Sequence, residues 1–282
     1  MSQAGYRGAR MVVGSKHGKA GQIAPPFRSV LGAEVFGVDD MDTDRYGTFT
    51  GEVPRVLTPR DAAVSKARDA MAMAGVAFGL ASEATYTMRY GVLPWHEEIL
   101  VFVDDVRGIE VTESEAGVSA AGQAERVTSA DMAVDAARRF GFPRQAAVIR
   151  ACDDTMTHTV ILEKGLTRAP TLRDVVRRAL CANAAHDIWI EPDLRAHHNP
   201  SRRVVIERLA RRLAARLATT CPACHSPGYG RVAVRQGMPC GTCGGPTGQI
   251  ATDLLGCPAC DQTSSVRRSG TADPRWCPTC NP

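Results

Sequence analysis

The fold of the C-terminal part is decided by residues 221 to 280, which read CPACHSPGYGRVAVRQGMPCGTCGGPTGQIATDLLGCPACDQTSSVRRSGTADPRWCPTC. This stretch holds eight of the ten cysteines of the 282-residue chain, arranged as four Cys-x-x-Cys pairs. The pairs are Cys221 with Cys224, Cys240 with Cys243, Cys257 with Cys260, and Cys277 with Cys280. Two such pairs supply the four thiolates of a tetrahedral structural zinc site. The stretch therefore predicts two Zn(Cys)4 sites.

The tail around these cysteines has too few large apolar residues to order a fold by burial alone. Structural zinc contributes about 10–16 kcal/mol in model peptides, so we expect residues 220–282 to form a zinc-ribbon module that folds with its metal. Disulfides and iron–sulfur ligation are the alternatives. The strictly paired spacing favours zinc, as does an N-terminus without a signal-peptide pattern, which predicts a cytoplasmic protein.

The spacing leaves open which pairs share an ion, because consecutive, crossed and nested arrangements all supply four thiolates. Consecutive sharing, with residues 221–243 around one ion and residues 257–280 around the other, closes the shortest loops and is the arrangement we favour. Four thiolates leave no coordination position for water, so both sites are expected to be structural.

The charge of the tail argues against a nucleic-acid role for it. Its arginines and aspartates sum to +2 and each Zn(Cys)4 centre adds −2, so the module carries about −2. A protein partner, or the rest of the chain, is the expected binding surface. The whole chain has a net charge of +4, too little to indicate nucleic acid or membrane. Its longest weakly polar run, residues 70–81, is shorter than the ~20 residues of a spanning helix.

The N-terminal body, residues 1–219, alternates strand-like and helix-like segments. Helix starts are predicted at Thr58, Ser129, Thr171 and Asn199, where a capping side chain precedes a helical pattern. Residues 114–128 are predicted to be a loop. The alternation predicts an α/β domain with one mixed β-sheet covered by helices.

A basic loop follows the first predicted strand. It reads Ser15-Lys16-His17-Gly18-Lys19, where backbone amides and two ammonium groups suit phosphate binding at a helix N-terminus. The loop matches neither a P-loop nor a dinucleotide fingerprint, and a basic surface turn is the alternative. Ser15, Lys16, His17 and Lys19 are therefore candidate phosphate ligands.

Two further polar clusters lie on the body. The first is an acidic loop that would hold Mg²⁺ beside substrate phosphates, with a solvated loop as its alternative; its members are Asp39, Asp40, Asp42, Asp44 and Glu52. The second runs from Glu191 to Arg202 at a strand-to-helix junction. Within it, Asp193 and His197 are candidates for acid–base catalysis and Arg195 for anion binding.

Residues 10–60, the segment from Asp193 to Arg202 and the Cys-Pro-x-Cys start of the tail together resemble an uncharacterised bacterial family, a domain of unknown function that ends in a zinc ribbon. More distantly, the basic loop, the helix containing Lys66-Ala67 and the strand end at Glu83 are similar to inosine-triphosphate pyrophosphatase-like proteins. That resemblance implies hydrolysis of nucleotides with Mg²⁺. It also implies that Lys16 and Lys19 hold phosphates and that Glu83 and Asp104 bind the metal. His17 departs from the asparagine of the family's loop.

These observations lead to two hypotheses. The first is a Mg²⁺-dependent hydrolase of a nucleotide-like phosphate compound, and it requires Lys16, Glu52, Glu83 and Asp193 to converge on one cleft. The second is a non-enzymatic protein that binds protein or nucleic acid and uses the zinc ribbon as its docking module.

Overall fold

The structure, a computed structural model, describes residues 5–16, 18–39, 41–119, 121–152, 159–182 and 187–282. Three β-sheets organise these residues, and each belongs to a different part of the molecule. We call the parts the first lobe, the second lobe and the C-terminal module. The α/β class and the C-terminal cysteine module predicted from the sequence are both confirmed.

The first lobe contains a five-stranded mixed sheet in the order β2-β1-β3-β4-β5. Its strands are β1 (Arg10–Val13), β2 (Glu34–Gly37), β3 (Phe78–Arg89), β4 (Leu93–Asp104) and β5 (Ile109–Val118). β1 is parallel to β2 and β3, whereas β3, β4 and β5 form an antiparallel meander. Part of the predicted loop at 114–128 is therefore strand. The strand residues within it, Ser114 to Val118, include the small residues Ala116 and Gly117 beside polar Ser114 and Glu115, a composition that is typical of a loop.

Helices cover both faces of this sheet. They are α1 (Ala20–Leu31), α2 (Pro59–Ala74) and α5 (Pro200–Ala218). Leu80 and Leu100 pack against α1 and α5, while their neighbours Ala81 and Ile99 pack against α2, as the alternation of side chains along a strand requires. The predicted cap of α2 is confirmed, because the Thr58 hydroxyl accepts the backbone N–H of Asp61 at 3.1 Å.

The second lobe is inserted between β5 and α5. An antiparallel sheet in the order β6-β9-β7-β8 carries two helices on one face. Its elements are β6 (Glu125–Val127), α3 (Ala130–Arg139), β7 (Ala147–Cys152), β8 (Thr159–Leu166), α4 (Ala169–Ala182) and β9 (Asp187–Pro192). The body therefore has two sheets with separate cores where the sequence predicted one. The capping pattern at Thr171 lies inside α4, which begins two residues earlier.

The C-terminal module is an antiparallel meander of β10 (Gly230–Gln236), β11 (Ile250–Gly256) and β12 (Thr263–Arg267). It is joined to the end of α5. Arg216 Nε donates to the Gly228 carbonyl at 3.0 Å, and the N–H of Gly228 donates to the Thr219 carbonyl at 3.0 Å. A Cβ at Gly228, whose φ is +94°, would lie 2.9 Å from the Val111 side chain of β5. The glycine thus lets the module lie against the first lobe. The domain boundary at 219/220 stays a prediction.

Among the described residues, no helix combines the length and the apolar character that crossing a bilayer demands.

Candidate functional site

The cysteines of the module form two clusters. Site 1 consists of Cys221, Cys224, Cys257 and Cys260, and site 2 of Cys240, Cys243, Cys277 and Cys280. Sulfur–sulfur distances between the two pairs of a site include 3.6 and 3.8 Å in site 1, and 3.6 and 3.9 Å in site 2. A tetrahedral ion with Zn–S bonds of about 2.3 Å places its sulfurs about 3.8 Å apart, whereas a disulfide needs about 2.05 Å. The clusters can therefore hold two metal ions, and their donors and spacing fit zinc.

The pairing of the cysteine pairs differs from the consecutive arrangement favoured from the sequence. The first pair joins the third, and the second joins the fourth. The reason is the meander: β10 separates the first pair from the second, and β11 brings the chain back to the third. Seven residues of strand span about 23 Å, so consecutive pairs lie at opposite ends of the sheet. The geometry of the strands outweighs the entropy of loop closure.

A cleft of about 380 Å³ lies between the two lobes. The first lobe lines it with the loop after β1, residues 43–55, α2, β3 and α5. The second lobe contributes β7, β8, the end of β9 and the segment that follows β9. Six candidate residues line it: Ser15, Lys16, Lys19, Glu83, Asp193 and Arg195. Asp44 and Glu52 of the acidic loop also line it. The four residues whose convergence the hydrolase hypothesis required thus share one cleft. His17 and Asp40 lie outside the described residues.

Two candidate catalytic residues do not line this cleft. Asp104 lies at the far end of β4, because the antiparallel register sets Glu83 opposite Ile99 and Asp104 five residues further along, about 17 Å away. There its carboxylate accepts the Tyr6 hydroxyl at 2.8 Å and Arg107 Nη1 at 2.8 Å. His197 lies in a short 3-10 helix with its ring centroid 3.9 Å from that of His198. The structure therefore separates Asp104 from Glu83 and leaves His197 outside the lining of the cleft.

Positive charge dominates the cleft. Among the described lining residues the cations are Lys16, Lys19, Arg55, Lys66, Arg150, Lys164, Arg195 and Arg202. The anions are Asp44, Glu52, Glu83, Glu191 and Asp193. Eight cations face five carboxylates, which leaves an excess of +3. A cleft of this charge between two lobes favours an anionic ligand.

Most of these cations are held by a carboxylate of the same cleft. Lys16 Nζ lies 2.9 Å from Asp44, and Arg150 lies 3.1 Å from Glu191. Across the cleft, Lys164 of β8 pairs with Glu52 of the first lobe. The last pair therefore ties the acidic loop to the second lobe.

Lys19 differs from the other cations. Its ammonium donates to the Ser82 carbonyl at 3.0 Å, and within the described part of the chain no carboxylate lies within ion-pair distance of it. Burial and the Arg202 guanidinium lower the pKa of Lys19 to about 8, against the opposing effect of Glu83 and Glu98. An ammonium has three N–H donors, so Lys19 keeps two for a ligand.

Glu83 lies where β3 runs past the end of β1, which pairs with β3 only as far as Leu80. The gap left by the short strand exposes this part of β3 to the cleft. Glu83 is 8% exposed, pairs with Lys66 of α2 and lies 4.0 Å from Arg55. Gly14 brings the basic loop to the same place, because a Cβ there would lie 2.3 Å from the Lys66 carbonyl oxygen. Only glycine allows this close approach to α2.

A buried ion pair holds Arg202, one of the residues that line the cleft, in place. Arg202 Nε and Nη2 donate to the two oxygens of Glu98 at 2.7 and 2.8 Å, and Nη1 donates to the Leu194 carbonyl at 2.7 Å. Burial raises the pKa of Glu98, but Arg202 and then His96 outweigh it and lower the pKa to about 2. Arg202 is thus fixed as a cation that joins β4 to the segment after β9.

Asp193 forms an ion pair with Arg195, two positions further along the chain. Its carboxylate accepts Arg195 Nη2 at 2.6 Å and the backbone N–H of Gly165 at 3.1 Å. Burial raises the pKa of Asp193, but hydrogen bonds from Arg195 outweigh it and leave the pKa lowered. Glu191 behaves in the opposite way, since burial raises its pKa despite the nearby Arg150. Of the two carboxylates, Glu191 is the better placed to exchange protons.

No role could be assigned from the sequence to Arg55, Glu98, Arg150 and Lys164, and Arg202 marked only the end of the polar cluster that begins at Glu191. They are scattered over more than a hundred positions, and only the fold brings them together. The role of Lys66 could have been predicted from the sequence, because Lys66 lies on a helix face that otherwise consists of small apolar residues, such as Ala63 and Ala67. A charged residue on a buried face needs a partner there, which is Glu83.

The fold and the two cysteine clusters define an α/β protein with a C-terminal module of two tetra-cysteine sites. A model of the family described as Domain of unknown function (DUF6671) matches residues 66–282. The chain belongs to this family. No curated protein matches the chain. The match begins inside α2, so the basic and acidic loops lie before it, and the similarity to inosine-triphosphate pyrophosphatase-like proteins stays a prediction.

Proposed function

We propose that the cleft binds the phosphate groups of a nucleotide-like compound and that the protein hydrolyses one of their phosphate bonds with Mg²⁺. The observation that carries the proposal is Lys19, a cation inside the cleft with two N–H donors and no carboxylate partner within the described residues. Phosphate oxygens are acceptors of the right charge for it.

The metal would enter with the substrate. The described residues form no group of three carboxylate, imidazole or thiolate ligands in the cleft. Mg²⁺ needs only one or two protein carboxylates when substrate phosphates supply the other ligands. Glu83 is the carboxylate that would bind it, and Lys66, released from Glu83, would then pair with a phosphate oxygen. Glu191 is the group that would accept a proton from the attacking water.

Replacing Lys19 with methionine should weaken the binding of phosphate compounds about 10- to 100-fold, because a charge-assisted hydrogen bond contributes about 1.5–3 kcal/mol. The test measures Mg²⁺-dependent release of phosphate or pyrophosphate from a nucleotide panel, and thermal shifts with each member. Arg211→Met, on the exposed side of α5, is the control. A wild-type protein that hydrolyses no member and gains thermal stability from none would refute the proposal.

The affinity for phosphate compounds should also fall as pH rises through about 8, because Lys19 is a cation below its folded-state pKa and neutral above it. The groups that act on Lys19 come from four elements: Lys66 on α2, Glu83 on β3, Glu98 on β4 and Arg202 on α5. Titration calorimetry between pH 7 and pH 9.5 measures the effect. Lys19→Met should bind with nearly constant weak affinity over this range, and a wild-type affinity independent of pH would contradict the role of Lys19.

A second candidate function is the binding of a protein partner by the module. It is favoured by the large apolar side chains that the module leaves exposed: Val232, Val234, Val266 and Trp276. Trp276 is 58% exposed, and tryptophan is frequent at the centres of protein interfaces. Retention of a partner by the wild type and its loss by Trp276→Ala, with zinc content unchanged, would support this function.

A further inference from the structure

A second pocket opens beside the cleft. It has a volume of about 570 Å³ and shares Ser15, Lys16 and Lys19 with the cleft. The carboxyl ends of the parallel strands β1 and β2 and the start of α1 contribute to its lining. The two cavities therefore meet at the basic loop, where the proposed function places the phosphates.

Apart from the two shared lysines, the charged residues that line this second pocket within the described part of the chain are the carboxylates Asp39 and Asp42. Asp42 Oδ1 accepts the backbone N–H of Asp44 at 3.0 Å. Within the described residues, the carboxylate of Asp39 accepts no hydrogen bond and has no cation within ion-pair distance. A second phosphate would be repelled there, whereas a neutral group with hydroxyl donors would gain a charged acceptor.

The topology fits such a ligand. β1, α1 and β2 form a parallel βαβ unit, and Asp39 follows the last residue of β2 by two positions. In open α/β folds the helix after the first strand receives a phosphate, and a carboxylate just after the second strand accepts hydrogen bonds from ribose hydroxyls. No side chain caps the first turn of α1, although the N–H groups of Gly21 and Gln22 donate to the carbonyls of Gly18 and Lys19.

We infer that the second pocket holds the ribose of the ligand, with the Asp39 carboxylate accepting hydrogen bonds from its 2′- and 3′-hydroxyls. This assignment rests on the proposed function, because the phosphates in the cleft bring the sugar to the pocket. It narrows the nucleotide-like compound to a ribonucleotide. Asp39 is then the residue that separates ribonucleotides from deoxyribonucleotides.

The test compares the dissociation constants of adenosine and inosine triphosphates with those of their 2′-deoxy and 3′-deoxy forms, measured calorimetrically without Mg²⁺ so that no turnover occurs. The wild type should bind the ribose forms about tenfold more tightly, as expected for hydrogen bonds to a charged acceptor. Asp39→Asn should bring this ratio close to one. Glu34→Gln, at the opposite end of β2 and exposed, should keep the wild-type ratio.

Binding of inorganic tripolyphosphate, which has phosphates but no sugar, distinguishes failure of the proposed function from failure of the ribose assignment. If it binds and competes with the nucleotides, while ribose and deoxyribose forms bind equally well, the cleft retains its function and the ribose assignment is wrong. If Asp39→Asn retains the wild-type preference for ribose, the assignment is also wrong. If neither tripolyphosphate nor any nucleotide binds, the proposed function falls and the ribose pocket falls with it.

Discussion

Replacing Cys224 with serine should lower the zinc content from two ions to one per chain and destabilise the body together with the module. Cys224 belongs to site 1, which follows the end of α5 by only a few residues. In model peptides such an ion contributes about 10–16 kcal/mol, comparable to the stability of a whole domain. Most of this energy orders the module itself, and the body loses only the share that its contacts with the module transmit. A share of about 3–4 kcal/mol would lower the melting temperature of the body by roughly 10 °C, since about 1 kcal/mol corresponds to 2–4 °C at this size.

Cys243→Ser provides the matched control at site 2, because Cys243 is also the exposed second member of its pair. Site 2 lies at the distal end of the meander, about 23 Å from site 1 by strand length. Its loss should melt the distal loops and leave the body at its wild-type melting temperature. Atomic emission measures the zinc and calorimetry the melting temperature. Equal shifts for the two variants would show that site 1 has no special link to α5.

Some features of this molecule could be predicted from the sequence because they are local. The eight ligands follow from four pairs whose members are three positions apart, and the caps at Thr58, Ser129 and Asn199 need only the residues beside them. The basic loop from Ser15 to Lys19 was visible for the same reason, since its charges are neighbours in the chain.

Features that depend on strand register could not be predicted in this way. The first cysteine pair shares a site with the third, and the second with the fourth, because of the lengths of β10 and β11. The separation of Asp104 from Glu83 follows from the antiparallel pairing of β3 with β4. The division of the body into two sheets, which creates the cleft, depends on which strands pair. Each of these outcomes is a long-range contact, and periodicity and composition carry no information about it.

The pair of Glu98 and Arg202 illustrates the same limit, because 104 positions separate the two residues. The same pair leads to a prediction with a large expected effect on the stability of the protein. Arg202→Met should destabilise the protein by about 3–5 kcal/mol, since removal of one partner leaves the other as a buried, unpaired charge. Arg202→Lys should destabilise the protein by a smaller amount, because lysine keeps the charge but loses the bidentate geometry. Arg211→Met, whose arginine is exposed, should change the stability little.

The decisive comparison is the double variant Glu98→Leu with Arg202→Met. With both charges gone and similar volume retained, no buried charge is left unpaired, so the double variant should be more stable than Arg202→Met alone. Urea unfolding followed by circular dichroism measures each free energy. Because Arg202 Nη1 also holds the Leu194 carbonyl of the segment after β9, the double variant should still leave the cleft looser than in the wild type. It should therefore recover stability without recovering phosphate affinity. The two single variants, Glu98→Leu and Arg202→Met, complete the comparison. If the double variant loses as much stability as the two single variants together, the pair is not coupled, and Arg202 would then owe its burial to packing alone.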